Sequence, residues 1–205
     1  MRSRRILAVA GPALVIAGIG LTHPTELNAA TAPWWTTMHT LLLPLFPLLG
    51  LSVWLLVREL RGPLPWVTAL AAFGYATFYG ALDVLAGIAT GGLVQRGSAP
   101  DGEEVAALFR LGNDLGAFGV GCFLVACLAA CAALVAQVGR RVLPGAAILV
   151  ASAIAFLSSH IYWPVGVAAM LGLALGCGLI AGTVKPSPQR DPGWREPVGD
   201  TIIGT

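Results

Sequence analysis

From Val142 to Val184 the chain carries no Asp, Glu, Lys or Arg. A bilayer core about 30 Å thick is crossed by about 20 helical residues, so this stretch is too long for one crossing. It is interrupted by Ser158-Ser159-His160 and then by Trp163-Pro164. Proline suits the first turn of a helix and disfavours helix in the residue before it. The pattern predicts two spans, Val142 to Ser158 and Pro164 to Val184, joined by a tight hairpin at Ser158 to Trp163.

Four more apolar runs of similar length precede this pair: Ile6 to Leu21, Met38 to Val57, Trp66 to Ile88 and Leu115 to Val138. They are continuous rather than alternating. In lipid only helices and closed barrels satisfy their own backbone groups, so the runs read as helices. Composition agrees, with 57% apolar and 11% charged residues against roughly 25% charged in a soluble domain. A soluble fold of this length has too little interior to hide that much apolar surface. The expected architecture is all-α, a polytopic bundle of six transmembrane helices over residues 1–185. Residues 186–205, with four Pro, three Gly and scattered charge, read as a disordered cytoplasmic tail.

Charge sets the expected orientation. Arg2, Arg4 and Arg5 precede the first span, Arg58 and Arg61 lie between the second and third, Arg140 and Arg141 between the fourth and fifth, and Lys185, Arg190 and Arg195 follow the sixth. Only Arg96 and Arg110 fall on the other side. The positive-inside rule puts both termini in the cytoplasm, in a cell (inner or plasma) membrane. The bias of Arg over Lys, with abundant Ala, Gly, Val and Leu, is that of a GC-rich bacterial genome. The first span has a rival reading: its basic start, apolar core and small-residue segment Asn28 to Ala32 also resemble a secretory signal peptide. The net charge of +2 gives no reason to expect nucleic acid. The expected partners are the lipid bilayer and either a second copy of the chain or another membrane protein. Gly112-xxx-Gly116, Gly172-xxx-Gly176 and Gly178-xxx-Gly182 allow close helix approach. The four cysteines, Cys122, Cys127, Cys131 and Cys177, lie inside apolar runs without a CxxC and read as packing residues.

On this topology the rare polar residues gather at one membrane face. His23 follows the first span, with Glu26 three residues later. His39 opens the second span, Asn113 and Asp114 stand at the mouth of the fourth, and His160 sits in the hairpin. Asp83 lies roughly 7 Å inside the third span, at 1.5 Å per residue. Tyr75, Tyr79 and Asp83 share a helix face by their spacing of four. A charged group within a span costs a few kcal/mol and usually faces a bundle interior or a cavity. Asp83 is therefore either a functional acid or one end of a structural hydrogen bond.

Imidazole and carboxylate together suit a divalent transition metal such as zinc. The candidate ligands are His23, His39, Asp83, Asp114 and His160, with Tyr75, Tyr79 and Glu26 in support and Asp83 as the catalytic base if there is a reaction. No HxxxH, HExxH or HxH pairs two ligands locally, so the match is one of placement. The best expectation is a site for a metal ion or polar ligand. An enzyme built on it would be a metal-dependent intramembrane hydrolase or a redox protein, the latter with haem between His39 and His160. A proton or cation transport component and a non-catalytic accessory subunit are the alternatives. Four local expectations complete the reading. Asp101-Gly102-Glu103-Glu104 resembles a capping box, Arg110 and Asp114 form an i,i+4 pair, Trp34-Trp35 is an interfacial pair, and Pro44 and Pro47 kink the second span.

Overall fold

A computed structural model describes residues 2–184, so the expected tail at 186–205 lies outside the described residues. Among those described, all regular structure is helical. Six helices or helix pairs are long and apolar enough to cross a membrane: Arg2–Gly20, Ala32–Val57, Pro63–Gln95, Glu103–Val138, Arg140–Ser159 and Val165–Thr183. Their outward faces are apolar too. Leu70 is 70% exposed and Phe73 71%, which suits a hydrocarbon surround rather than water.

Helix α1 (Arg2–Gly20) is followed by a loop and by α2 (Ala32–Leu42) and α3 (Phe46–Val57). The second crossing breaks over residues 43–45, where Pro44 removes an amide donor,. Proline opens α3, as it does α2, α4 (Pro63–Leu82) and α7 (Leu143–Ser159). Its fixed φ and missing N–H cost nothing in a first turn.

The third crossing departs from expectation. It continues from α4 through a π-helical segment, Asp83–Ala89, into α5 (Thr90–Gln95). The span expected to end at Ile88 therefore runs on to Gln95. Contacts with α2 hold the extra turns. Gln95 Nε2 donates to Thr36 Oγ1 at 2.7 Å and to the Ala32 carbonyl at 3.3 Å. Asp83 stands at the first position of the π segment.

Helix α6 (Glu103–Val138) is long enough to begin outside a bilayer core, as expected from its polar start. Gly102 caps it, and no side chain completes a capping box. Arg110 pairs with Glu103 at 2.7 Å rather than with Asp114. At its other end Gly139, with φ 94°, turns the chain,. A short 3₁₀ turn (Arg140–Val142) leads to α7, and α8 (Val165–Thr183) closes the bundle after the hairpin. Arg2 donates to the Gly182 carbonyl, so α1 starts beside the end of α8.

The most extensive packing is α4 on α6, then α7 on α8 and α8 on α1. Small residues make the first of these close. A Cβ added at Gly119 would lie 2.7 Å from the Tyr79 backbone nitrogen, and the same closeness continues into the π segment, where one at Gly112 would lie 2.9 Å from the Ala86 side chain. The centre is aromatic: Phe46 against Tyr79 at 4.7 Å, Tyr75 against Phe123 at 4.8 Å and Tyr79 against Phe156 at 5.2 Å between ring centroids. Cys127, Cys131 and Cys177 are buried free thiols within this packing.

Candidate metal centre

Two consecutive segments and a third far along the chain converge at the end of the bundle away from the Arg2–Gly182 contact. The loop after α1 brings His23, α2 brings His39 and the α7–α8 hairpin brings His160. One ring nitrogen of each lies within 4.8 Å of the other two. Ring centroids are 5.3 Å apart for His23 and His39, 5.5 Å for His23 and His160, and 6.1 Å for His39 and His160.

Each ring is held by its Nδ1. His39 Nδ1–H donates to the Trp35 carbonyl at 2.8 Å, and His23 Nδ1–H to the Pro24 carbonyl at 2.7 Å. A carbonyl only accepts, so both Nδ1 atoms are protonated and both Nε2 atoms keep their lone pairs. His160 Nδ1 lies 2.5 Å from the Tyr79 hydroxyl, which can accept from it in the same way. His23 Nε2 is buried without a hydrogen-bond partner. An orphaned buried acceptor is costly unless something fills its place.

The backbone that presents these rings is tightly constrained. His160 has φ 44° and ψ −134°, a conformation costing a non-glycine residue about 1–3 kcal/mol,. It is held by a buried Ile161 and by close approaches of glycine. A Cβ at Gly20 would sit 2.7 Å from the Ile161 carbonyl, and one at Gly166 2.6 Å from Ile161 Cα. Gly87 of the π segment lies flat under the His39 ring, where a Cβ would collide with it. The Ala86 carbonyl beside it accepts from Trp35 Nε1 at 3.2 Å and Thr90 Oγ1 at 2.6 Å. The π turn thus seats both Trp35 and His39.

Burial keeps the loop imidazoles neutral, the form that ligates metals. The pKa of His23 is pushed down to about 4, chiefly by burial, with the Pro24 hydrogen bond opposing and His39 assisting. Burial also pushes His160 well below the ordinary histidine range, and His23 and His39 add to the effect. Burial raises the Tyr162 hydroxyl to about 12.

The remaining sequence candidates are placed differently. Asp83 is fully buried with both carboxylate oxygens unpartnered, and Tyr75 OH is likewise orphaned. Asp83 is not in the three-histidine group. It lies within electrostatic reach of Tyr75 and Tyr79 on its own helix face. Asp114 and Glu26 are exposed and also outside the group. Asn113, beside Asp114, lines the cavities that reach His160.

Two residues of the site were not expected. Tyr162 stands edge-on to His23 at 4.3 Å, and Trp35 packs on His23 at 5.0 Å and His39 at 5.1 Å. The Trp34-Trp35 pair therefore divides. Trp34 remains 40% exposed and Trp35 only 3%. The i,i+4 spacing of Trp35 and His39 was the available signal, since it stacks one above the other on a helix.

An ion held by imidazoles at about 2.0–2.1 Å in a tetrahedron sets its nitrogens roughly 3.3 Å apart. The candidate nitrogens here lie within 4.8 Å of one another, so binding an ion would draw them together by up to about 1.5 Å. The chain matches no protein-family model, no curated protein and no solved structure.

Proposed function

We propose that this chain is a multi-pass membrane protein that binds one transition-metal ion through His23, His39 and His160. The observation that carries the reading is the convergence of three imidazoles from three segments, His23 and His39 buried and His160 half-buried. Each Nδ1 is tied, and at least one Nε2 has no other use. Metal-bound histidines are typically oriented in this way through their second nitrogen. Three imidazoles suit zinc or copper and leave a coordination position open. Such an open position is what a metal-assisted reaction or a ligand exchange needs.

The haem alternative is less well supported. His23 stands 5.3 Å and 5.5 Å from the two rings that would be axial ligands, where the macrocycle would have to pass. A transport role finds support in one feature, the unpartnered Asp83 within a span. Buried membrane carboxyls commonly mark proton or ion paths. In our reading the Arg-rich end faces the cytoplasm and the metal opens to the other side of the cell membrane.

The test is zinc and copper(II) titration of the detergent-purified chain, with elemental analysis. One ion per chain is expected, lost in a folded His39→Ala/His160→Gln variant. A folded wild-type protein that takes up neither ion would reject the reading and favour an accessory subunit.

A further inference from the structure

Beside the three histidines the bundle surface is open. A cavity of about 290 Å³ lies among α4, α6 and α7, lined by Tyr79, Asn113, Ala117, Val120, Leu157 and His160 among others. A second, of about 340 Å³, adjoins it along Ser158, Ser159 and Tyr162 and runs out past Trp163. A third, of about 80 Å³, shares Leu82, Asn113, His160 and Tyr162 with the first and reaches His39. Together they make a groove on the bundle's side with a branch to the candidate ligands.

The lining is ordered by depth. At the hairpin end it is polar, with Asn113, Ser158, Ser159 and Tyr162. Deeper, it is Gly116, Ala117 and Val120 on one wall and Phe156 and Leu157 on the other. From Asn113 to Val120 the groove descends about 10 Å at 1.5 Å per residue, well into a core about 30 Å thick. Ala117, Leu157 and Ser158 are exposed, so the groove opens toward lipid. No Arg, Lys, Asp or Glu lines any of the three cavities. An anionic or cationic head group would find no counter-charge there, whereas hydroxyl and carbonyl groups would find hydrogen-bond partners.

We infer that this groove binds a membrane-dissolved, uncharged amphiphile, with its chain along Ala117, Val120 and Leu157 and its hydroxyl or carbonyl oxygen directed at the open position of the metal. The placement of the oxygen rests on the metal reading, and the placement of the chain does not. A ligand of this kind would enter sideways from the leaflet without crossing water.

The experiment uses the full chain in phosphatidylcholine nanodiscs, with a diazirine-bearing analogue of hexadecanol as photoprobe and peptide mapping of the label. Label is expected on the α6 and α7 walls of the groove. Hexadecanol should compete, and hexadecyl phosphate and hexadecyltrimethylammonium should not. Ala117→Phe and Leu157→Trp each fill the groove from an exposed position, and each should cut groove labelling about tenfold or more by overfilling while zinc content stays the same. Zinc loading should strengthen labelling by the alcohol probe but not by the matching alkane probe. Label spread over all lipid-facing helices, or equal competition by the charged amphiphiles, would overturn the groove. Groove labelling in a chain that takes up no zinc would uphold the groove and remove the metal, so the two readings fail separately.

Discussion

The Tyr79 hydroxyl lies 2.5 Å from Nδ1 of His160, tying the middle of the bundle to the hairpin between the last two helices. The two residues are 81 positions apart in sequence. Tyr79 is itself fixed by Phe46, Tyr75 and Phe156. A rigid core residue therefore sets the orientation of a ring that the hairpin alone would leave free to turn.

Tyr79→Phe removes that constraint and keeps the ring. The expected result is a folded protein with zinc affinity about 10–100-fold weaker, the usual cost of losing an outer hydrogen bond to a metal-bound histidine. A competitive chelator titration measures it. Unchanged affinity would mean that the hydroxyl does not orient His160.

Glycine separates site effects from general packing. Gly87→Ala drives a methyl group into the His39 ring and should cost about 1–3 kcal/mol of stability by overpacking. Metal binding should weaken with it. Gly18→Ala, where an added Cβ meets nothing within 4 Å, should leave binding intact and gain up to about 1 kcal/mol from helix propensity. Thermal unfolding and zinc content of the pair make the comparison.

Asp83 has a different signature. Its two carboxylate oxygens are buried without partners, and leaving such a group unsatisfied costs about 1–3 kcal/mol. Because Asp83 is outside the three-nitrogen group, Asp83→Leu should raise thermal stability while one zinc per chain is still bound. Loss of zinc from a folded Asp83→Leu protein would make Asp83 the fourth ligand.

The pH dependence follows from His23. Its pKa is about 4 in the folded chain, below its ordinary value near 6.5. Above about 6.5 both folded and unfolded states hold it neutral, so it contributes no pH dependence there. Between about 6.5 and 4 the unfolded state binds more protons, so His23 alone removes about 3 kcal/mol of the metal-free protein's stability as pH falls, and His160, also lowered by burial, adds to the loss,. Melting curves of metal-free protein from pH 8 to pH 4 should show this fall, and His23→Gln should reduce it.

The crossings were legible because length and hydropathy are local properties of the chain. Ser158 to Trp163 announced the hairpin, and Pro44 announced the break in the second crossing. The π segment was not legible. Asp83–Ala89 reads like any apolar helix, and its geometry comes from the packing of α2 against Gly87 and Gly91. Placement at one membrane face nominated the three histidines, yet it nominated the exposed Asp114 on equal terms. Which side of α6 faces the site depends on its contact with α4, and that contact selects Asn113. Tyr162 is two residues from His160 and carried no periodic signal, because the hairpin has no regular structure to give one.

Orientation is the remaining prediction, and the cysteines make it measurable. Cys127, Cys131 and Cys177 are buried and Cys122 is half-buried, so an impermeant maleimide should react little with the parent chain. Pro100→Cys places a thiol in the turn between α5 and α6, near the histidine end. Arg140→Cys places one at the opposite end, between α6 and α7. By the positive-inside rule, the excess of arginine at that second end predicts that it faces the cytoplasm. In intact cells the Pro100→Cys thiol should therefore be labelled and the Arg140→Cys thiol protected until the membrane is opened. The reverse pattern would turn the three histidines toward the cytoplasm, where metal supply and thiol competitors differ, and would reassign the leaflet from which the proposed groove is filled.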